Sequence, residues 1–507
     1  MIDYFKKTAF TFICSIALLT TMFSSANIMI SATELDSGKE KEDVNTKLEK
    51  ECIYRIQAAT NDPFIQYQWF LINNGNLKYK ELLSTGNVGR DVIAKKGIDI
   101  QWEKARAYFK TKGANREIIV ALIDTGVDTK QTDLKAHLWT NDLERFDGRD
   151  DDNNGFVDDV YGWNFFSRNN KLCEYSNFDT TYQTYEDDHG THCAGIIAAT
   201  ANNKVGVAGI AGDANVKIMI LKALGGDEGE TGSGVTSAIV DAIQYAEKMG
   251  AQICNISFGG YEEDPVLKRT IEESNMLFVC AAGNEARNID TTPIYPAGYN
   301  LPNVISVCNI NADGTLAKTS NFGAKNVDLA APGSDIVSTL VNNEFGKMTG
   351  TSMAAPMVTG SAAMLYSFHT NMTASDAKKI ILSSVKKLPA LKGKVKSGGM
   401  VNLEAMLKKK YSPPPTTKEI TLNVIVEDFP GEPQKKINIA IQSQHELVEQ
   451  RLIKGNVTAK KARGNKKSVT LSKEAEQVYI AKTPGFYTVY IRNRAGFEVC
   501  KTVKVEF

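Results

Sequence analysis

Three short segments carry side chains whose types and order could do nucleophilic chemistry. They are Asp124-Thr-Gly-Val-Asp128, His189-Gly-Thr-His-Cys-Ala-Gly195 and Gly350-Thr-Ser-Met-Ala-Ala-Pro356. Along the chain, Asp124, His189 and Ser352 supply a carboxylate, an imidazole and a hydroxyl. A nucleophilic serine mechanism needs these three: an oxygen to attack, a base to take its proton and an acid to hold the base. Other chemistries fit less well. An aspartic mechanism needs two such carboxylates, and Asp124-Thr-Gly126 has no second copy. The histidines of His189-Gly-Thr-His192 stand at i, i+3 and lack the HExxH spacing and glutamate of a zinc helix.

Each group needs an element to hold it. Glu117 to Ile123 reads EIIVALI, a nearly continuous apolar run expected for a strand buried on both faces. That puts Asp124 at a strand's C-terminal end, where open α/β sheets carry functional groups. HGTHCAGIIAAT and SMAAPMVTGSAAMLYSF read as helices opened by His189 and Ser352. Pro356 falls in the first turn, where a missing N–H costs little. A helix N-terminus also favours negative charge developing at Ser352.

At these residues the chain resembles the subtilisin-like serine proteases, the subtilase family (peptidase S8). The resemblance runs from about Asn61 to Lys408 and includes a fourth motif, Ala281-Ala-Gly-Asn284, after the apolar run MLFVCA. It implies peptide-bond hydrolysis through an acyl-enzyme, with Asp124, His189 and Ser352 as the triad. Asn284 and the Ser352 N–H are then the oxyanion donors. The resemblance also implies that Gly232-Ser233-Gly234 and Ser257-Phe258-Gly259 grip an extended peptide as added strands, with Ser257 to Gly259 and Ala281, Ala282 and Gly283 walling the P1 pocket. The small walls predict an uncharged P1 residue, with Ile294 shrinking the base and Glu285 tolerating a basic residue at the rim. Cys193, close to His189, implies sensitivity to mercurials.

Between Asp124 and His189 lie 64 residues. They include Asp150, Asp152 and Asn154 at i, i+2, i+4, followed by Gly155 for a sharp turn. That pattern gathers hard oxygen ligands around calcium, with Phe156 giving a carbonyl and Asp158 or Asp159 completing the shell. Tyr161 stands where an EF-hand has its glutamate, so no helix-loop-helix sensor is expected. The family resemblance implies a second calcium site, formed by Asn203, the carbonyls of Ala201, Val205 and Val207, and the carboxylates of Asp62 and Asp133.

Buried-strand runs (EIIVALI, KIMILKAL, AQICNIS, MLFVCAA, NVISVC) alternate with helical stretches such as Gly234 to Lys248. This is the pattern of an α/β domain, a mainly parallel sheet with helices on both faces. A basic, proline-rich linker at 409–418 follows. Over 419–507, short alternating segments (ITLNVIVED, INIAIQS, VYIAKT, FYTVYIRN, VCKTVKVEF) predict an all-β Ig-like sandwich. A cell-surface or protein partner is the expectation for it.

The chain has 507 residues with 59 basic and 59 acidic side chains, so its charge gives no reason to expect a nucleic-acid partner. Lys6 and Lys7 precede an uncharged stretch reaching to Glu34, which reads as a signal peptide over 1–32, cleaved after Ala26 or Ala32, or else as an uncleaved anchor. No permanent membrane span is expected after cleavage. Eight cysteines at scattered positions give no disulfide framework. Secretion or cell-surface association, from a bacterial source, is the expectation. Residues 33–60 form a short extension, too small to be a folded inhibitory propeptide. That predicts folding without a conventional one. Within the enzyme reading, a dedicated maturation protease for one exported precursor is the alternative. From another class, the alternative is a surface-binding protein with an inactive protease fold.

Overall fold

In a computed structural model the described residues are 11–12, 60–83, 87–112, 116–176, 178–180, 184–225, 233–369, 371–411, 420–429, 434–443, 447–463, 465, 468–472, 474, 476–493 and 496–507. The leader and extension over 1–60 lie almost wholly outside them, as do Gly232 and most of the proline-rich linker. The chain divides into two compact units, Met1–Lys410 and Tyr411–Phe507.

The first unit is built on nine strands: β1 (Ile118–Asp124), β2 (Gly162–Asn164), β3 (Val216–Lys222), β4 (Ile253–Ile256), β5 (Leu277–Ala281), β6 (Val304–Ile310), β7 (Leu329–Pro332), β8 (Lys386–Lys387) and β9 (Gly399–Met400). Their order across the sheet is β8-β9-β7-β6-β5-β4-β1-β3-β2. Only the β8–β9 pair is antiparallel; the others run parallel. Every residue of β4, β5 and β6 is buried, which is why these strands read as unbroken apolar runs rather than alternating ones. From β1 the chain crosses to the edge strand β2, returns to β3 beside β1, and then runs outward through β4 to β7 on the other side. The order therefore reverses beside β1, and the C-terminal ends of β1, β3, β4 and β5 share one edge. Open α/β sheets bind ligands at such a point.

Four helices surround that edge or pack behind it: α1 (Asp188–Ala198), α2 (Thr236–Lys248), α3 (Pro265–Glu273) and α4 (Thr351–Phe368). Every residue of α1 is buried, as is all of α4 except its last residue. The two pack on each other, and α4 runs along β4 to β7. α2 starts two residues later than its apolar pattern suggests, because Ser233–Val235 forms a strand antiparallel to Leu224–Gly225. On its other side that strand pairs with Thr11–Phe12. A hairpin of Lys78–Leu82 and Val88–Ile93 was not anticipated from sequence.

The second unit has β10 (Ile420–Asp428), β11 (Lys435–Ser443), β12 (Leu447–Lys454), β13 (Val469–Thr470), β14 (Glu476–Ala481), β15 (Gly485–Asn493) and β16 (Glu498–Val505). They form sheets β10-β11-β14 and β13-β12-β15-β16. Val424, Ile437, Ile439 and Ile441 of the first sheet share one core with Leu452, Tyr487, Val489 and Ile491 of the second. The unit is thus a sandwich. Strand β12 went unread because LVEQRLIK carries charges that break strict alternation.

Candidate active site

Asp124 ends β1 and His189 is the second residue of α1. Their side chains meet at 2.6 Å, Nδ1 to Oδ1, and are 5% and 1% exposed for His189 and Asp124 respectively. A carboxylate on Nδ1 fixes the ring so that Nε2 presents the lone pair of a base. That Nε2 is buried and has no protein partner. Burial disfavours the charged imidazole, but the adjacent Asp124 carboxylate outweighs it, and the His189 pKa lies above the ordinary histidine value. A Cβ added at Gly190 would come within 2.1 Å of the Gly126 carbonyl oxygen, so only glycine lets α1 approach the β1 turn this closely.

His192 plays no part in this pair. It bonds the Ile336 carbonyl through Nε2 at 2.9 Å, and burial pulls its pKa down to about 3, so it stays neutral. Cys193 is also fully buried, with Sγ 3.4 Å from the Ser352 carbonyl oxygen. Burial pushes its thiol well above the usual range, so it is no thiolate nucleophile.

Ser352 lies in the first turn of α4, where backbone N–H groups have no carbonyl one turn back. Its hydroxyl donates to the Ser257 carbonyl at 2.9 Å rather than to His189. Asn284 follows β5 and is 4% exposed. Its Oδ1 accepts from the Thr351 N–H at 2.9 Å and the Thr351 hydroxyl at 3.2 Å. Because Thr351 occupies the oxygen end of this amide, Nδ2 is the end left to donate elsewhere. Thr351 also accepts from the Gly283 N–H at 3.1 Å, tying the β5 turn to α4. Sequence reasoning missed Thr351, since a threonine entering a helix carries no signal of this role.

Ser257, Phe258, Ala281 and Ala282 are buried beside Ser352 and Asn284. Cβ atoms added at Gly259 and Gly283 would meet Ile294 at 3.1 and 3.0 Å, so Ile294 lies between the two segments. Glu285 Oε2 would stand 2.7 Å from the added Gly283 Cβ, and it accepts from Asn321 Nδ2. The other oxygen of Glu285, Oε1, is buried with no protein donor. Ser233 and Gly234 sit in the short strand that pairs with Gly225 and Leu224.

The acidic segment before His189 brings Asp150, Asp152 and Glu144 together, with one oxygen of each lying within 4.8 Å of the others. Glu144 is 6% exposed and its Oε2 has no hydrogen-bond partner. It stands six residues before Asp150, outside the i, i+2, i+4 pattern, and was therefore missed. Asn154 Nδ2 donates to Asp152 and Asp159 at 3.2 and 2.8 Å, and Phe156 N–H to Asn154 Oδ1 at 2.8 Å. Asp159 also accepts from Tyr245 at 2.6 Å. Asp158 turns elsewhere and accepts from the Gly148 N–H at 2.9 Å.

At the other acidic site, Asp62 accepts from the Asn203 N–H at 3.0 Å, and Asp133 from Asn203 Nδ2 at 2.7 Å and the Val207 N–H at 2.9 Å. Asn203 Oδ1 accepts from the Val205 N–H at 2.8 Å, and Ala201 opens the same loop. Burial pushes the Asp133 carboxyl up to about 7, and the neighbouring Asp62 charge adds to the shift. Two buried carboxylates from distant segments meeting at one loop are a setting that a hard cation relieves.

The model of the subtilase family matches residues 115–402. The major intracellular serine protease of Bacillus subtilis (strain 168) is 38% identical over 262 residues, 51% of this chain and 70% of that protein. Subtilisin-like protease 1 of Plasmodium falciparum (isolate 3D7) is 34% identical over 324 residues, 58% of this chain and 44% of its own length. The cell wall-associated protease of Bacillus subtilis (strain 168) is 30% identical over 333 residues, 65% of this chain and 31% of its own. The chain thus spans less than half the length of the latter two. The crystal structure of a cold adapted subtilisin-like serine proteinase is similar at 21% identity and a TM-score of 0.41, covering 56% of this chain and 88% of that one. On the family match and these identities, the chain belongs to the subtilase family of serine endopeptidases.

Proposed function

We propose that this chain is an exported endopeptidase that cleaves proteins through an acyl-enzyme formed on Ser352. The observation that carries the reading is the buried 2.6 Å contact between Asp124 and His189, made at the ring nitrogen that leaves Nε2 as base. Ser352 attacks after its hydroxyl turns from the Ser257 carbonyl to His189. His189 takes the proton and returns it to the leaving amine, while Asp124 stabilises the imidazolium. Asn284 Nδ2 and the Ser352 N–H bind the oxyanion. Asn284→Leu is expected to lower kcat by about 10²- to 10³-fold with KM little changed, because the amide is used only once the oxyanion forms. Steady-state kinetics on one peptide check this.

The substrate would lie as an extended strand between Ser233–Gly234 and Ser257–Gly259. Thr11–Phe12 pairing with Ser233–Val235 supports this, since it places an antiparallel strand on that edge. Calcium would be held by Glu144, Asp150, Asp152 and Asn154, with Asp159 and the Phe156 carbonyl near, and by Asp62, Asp133, Asn203 and the carbonyls of Ala201, Val205 and Val207. Its bound charge would stabilise both acidic loops. Among the described residues no helix is long and apolar enough to cross a membrane. The cell wall-associated relative supports an extracellular or surface location, and the sandwich would serve to hold a surface or protein partner.

A peptide-library digest read by mass spectrometry tests the reading. Cleavage at many sites after uncharged P1 residues is expected, since the small apolar walls and Ile294 offer no charge of their own at the base. A profile dominated by acidic P1 would contradict the pocket, and a single cleaved sequence would mark a maturation protease instead.

A further inference from the structure

Beside the Asp124–His189 pair lies a buried ion pair that the proposed mechanism does not use. Lys222 ends β3 directly opposite Asp124 in the β1–β3 ladder and is 5% exposed. Its Nζ reaches Asp187 Oδ1 at 2.5 Å and Glu186 Oε1 at 3.7 Å. Asp187 is fully buried and immediately precedes α1, two residues before His189. Its carbonyl accepts from the Thr191 N–H at 3.0 Å and the Thr191 hydroxyl at 2.7 Å, and its Oδ2 from the Glu174 N–H at 2.6 Å. A Cβ at Gly126 would stand 2.4 Å from Asp187 Oδ1, so this carboxylate presses on the turn that follows Asp124. One contact therefore joins the strand ends that carry Asp124 to the helix start that carries His189.

The charge balance here is lopsided. Asp124, Asp128, Asp187 and Asp188 are all buried, and the side chain of Glu186 is 6% exposed. The buried lysines and arginines among the described residues are Arg106, Lys222 and Lys378. Arg106 pairs with Asp213 and Lys378 with Asp328, so only Lys222 balances this group. The other titratable neighbours are Lys171, Cys173, Glu174 and Tyr175 from the preceding segment, Glu344 beside Asp188, and His192 and Cys193 of α1.

We propose that Lys222 and Asp187 are a positioning pair for the triad, fixing His189 against Asp124 and balancing the carboxylates around its imidazole. The inference rests on the triad reading of Asp124, His189 and Ser352. Burial lifts the Asp187 carboxyl to about 6 even with Lys222 opposing the shift, so the lysine is what keeps it ionised where a serine protease works.

The two partners should perturb the imidazole in opposite directions. Removing the ammonium makes the surroundings of the imidazole more negative, and removing the carboxylate makes them less negative. In Lys222→Met the acid limb of the kcat/KM–pH profile is expected to move up by about 0.5–1 unit. It moves up whether the extra proton settles on His189 or on Asp187, because the first loses the base and the second loosens the Lys222 contact that orients it. In Asp187→Asn the limb is expected to move down, by less, since Glu186 remains near Lys222. Both variants lower kcat about 10-fold through loosened geometry, with KM little changed. Lys222→Arg is expected to keep the limb in place, and Lys222→Met/Asp187→Leu, which leaves no unpaired member of the pair, to return it toward the parent position. Should Lys222→Met not fold, the downward shift in Asp187→Asn and its reversal in the double variant still decide the matter. Limbs that stay fixed, or that move the same way in both single variants, would overturn the proposal and leave the pair a structural tie. A Ser352→Ala control separates the two levels. Residual full activity there removes the triad reading itself, whereas an inactive control with unmoved limbs removes only this inference.

Discussion

Ser352→Ala is expected to lower kcat by about 10⁶-fold while KM changes little. The hydroxyl is the only atom lost, and Ser352 is 5% exposed within α4, so the helix and the strands beside it have no cause to move. The variant keeps the proposed oxyanion donors and is therefore expected to retain a small rate above water. Asp124→Asn should cost less, about 10⁴-fold, by letting the ring choose the wrong tautomer. The combined variant should be barely worse than Ser352→Ala, since base and orienting acid act only through the hydroxyl. A combined loss equal to the product of the two single losses would mean that Asp124 and Ser352 serve separate steps.

Chelating calcium is expected to give the second large effect. A ligand held at about 100 to 1,000 times its Kd stabilises the folded state by about 3–4 kcal/mol. For a large domain that is about 2–4 °C per kcal/mol, so excess EDTA is expected to lower Tm by roughly 10 °C or more if both sites fill. Glu144→Gln separates the sites. It removes a buried carboxylate from the acidic segment before His189, so added calcium should raise the Tm of this variant less than that of the parent. Asp133→Asn should do the same at the other loop. An unchanged melt in EDTA, with no calcium found by metal analysis, would sink both sites.

Where the site lies was largely legible in the sequence, because each motif adjoins an element with a strong period. EIIVALI becomes β1 and carries Asp124 at its end, and the glycine- and alanine-rich helical runs become α1 and α4. The segments expected to wall a P1 pocket follow the same logic, at the ends of β4 and β5. What stayed illegible depends on contacts between distant segments. Thr351 matters through Asn284, 67 residues away. Glu144 matters through a loop that folds back on it, and Lys222 through its register with Asp124. No periodicity encodes such pairings; only the packed sheet brings them together. In the second unit, β12 was lost for a related reason. Its cross-strand partner in β15, rather than its own alternation, makes it a strand.

A single hydroxyl is held to carry the reaction. Treating the folded protein with a fluorophosphonate and mapping the adduct by peptide mass spectrometry tests this most directly. One adduct per chain is predicted, on Ser352, forming at the rate at which hydrolysis is lost and absent from Ser352→Ala. A folded chain that neither labels nor cleaves would identify a binding protein that keeps the fold without the chemistry. Hydrolysis that persists in the fully labelled protein, or an adduct on another residue that accounts for the loss, would contradict the assignment of Ser352 as nucleophile.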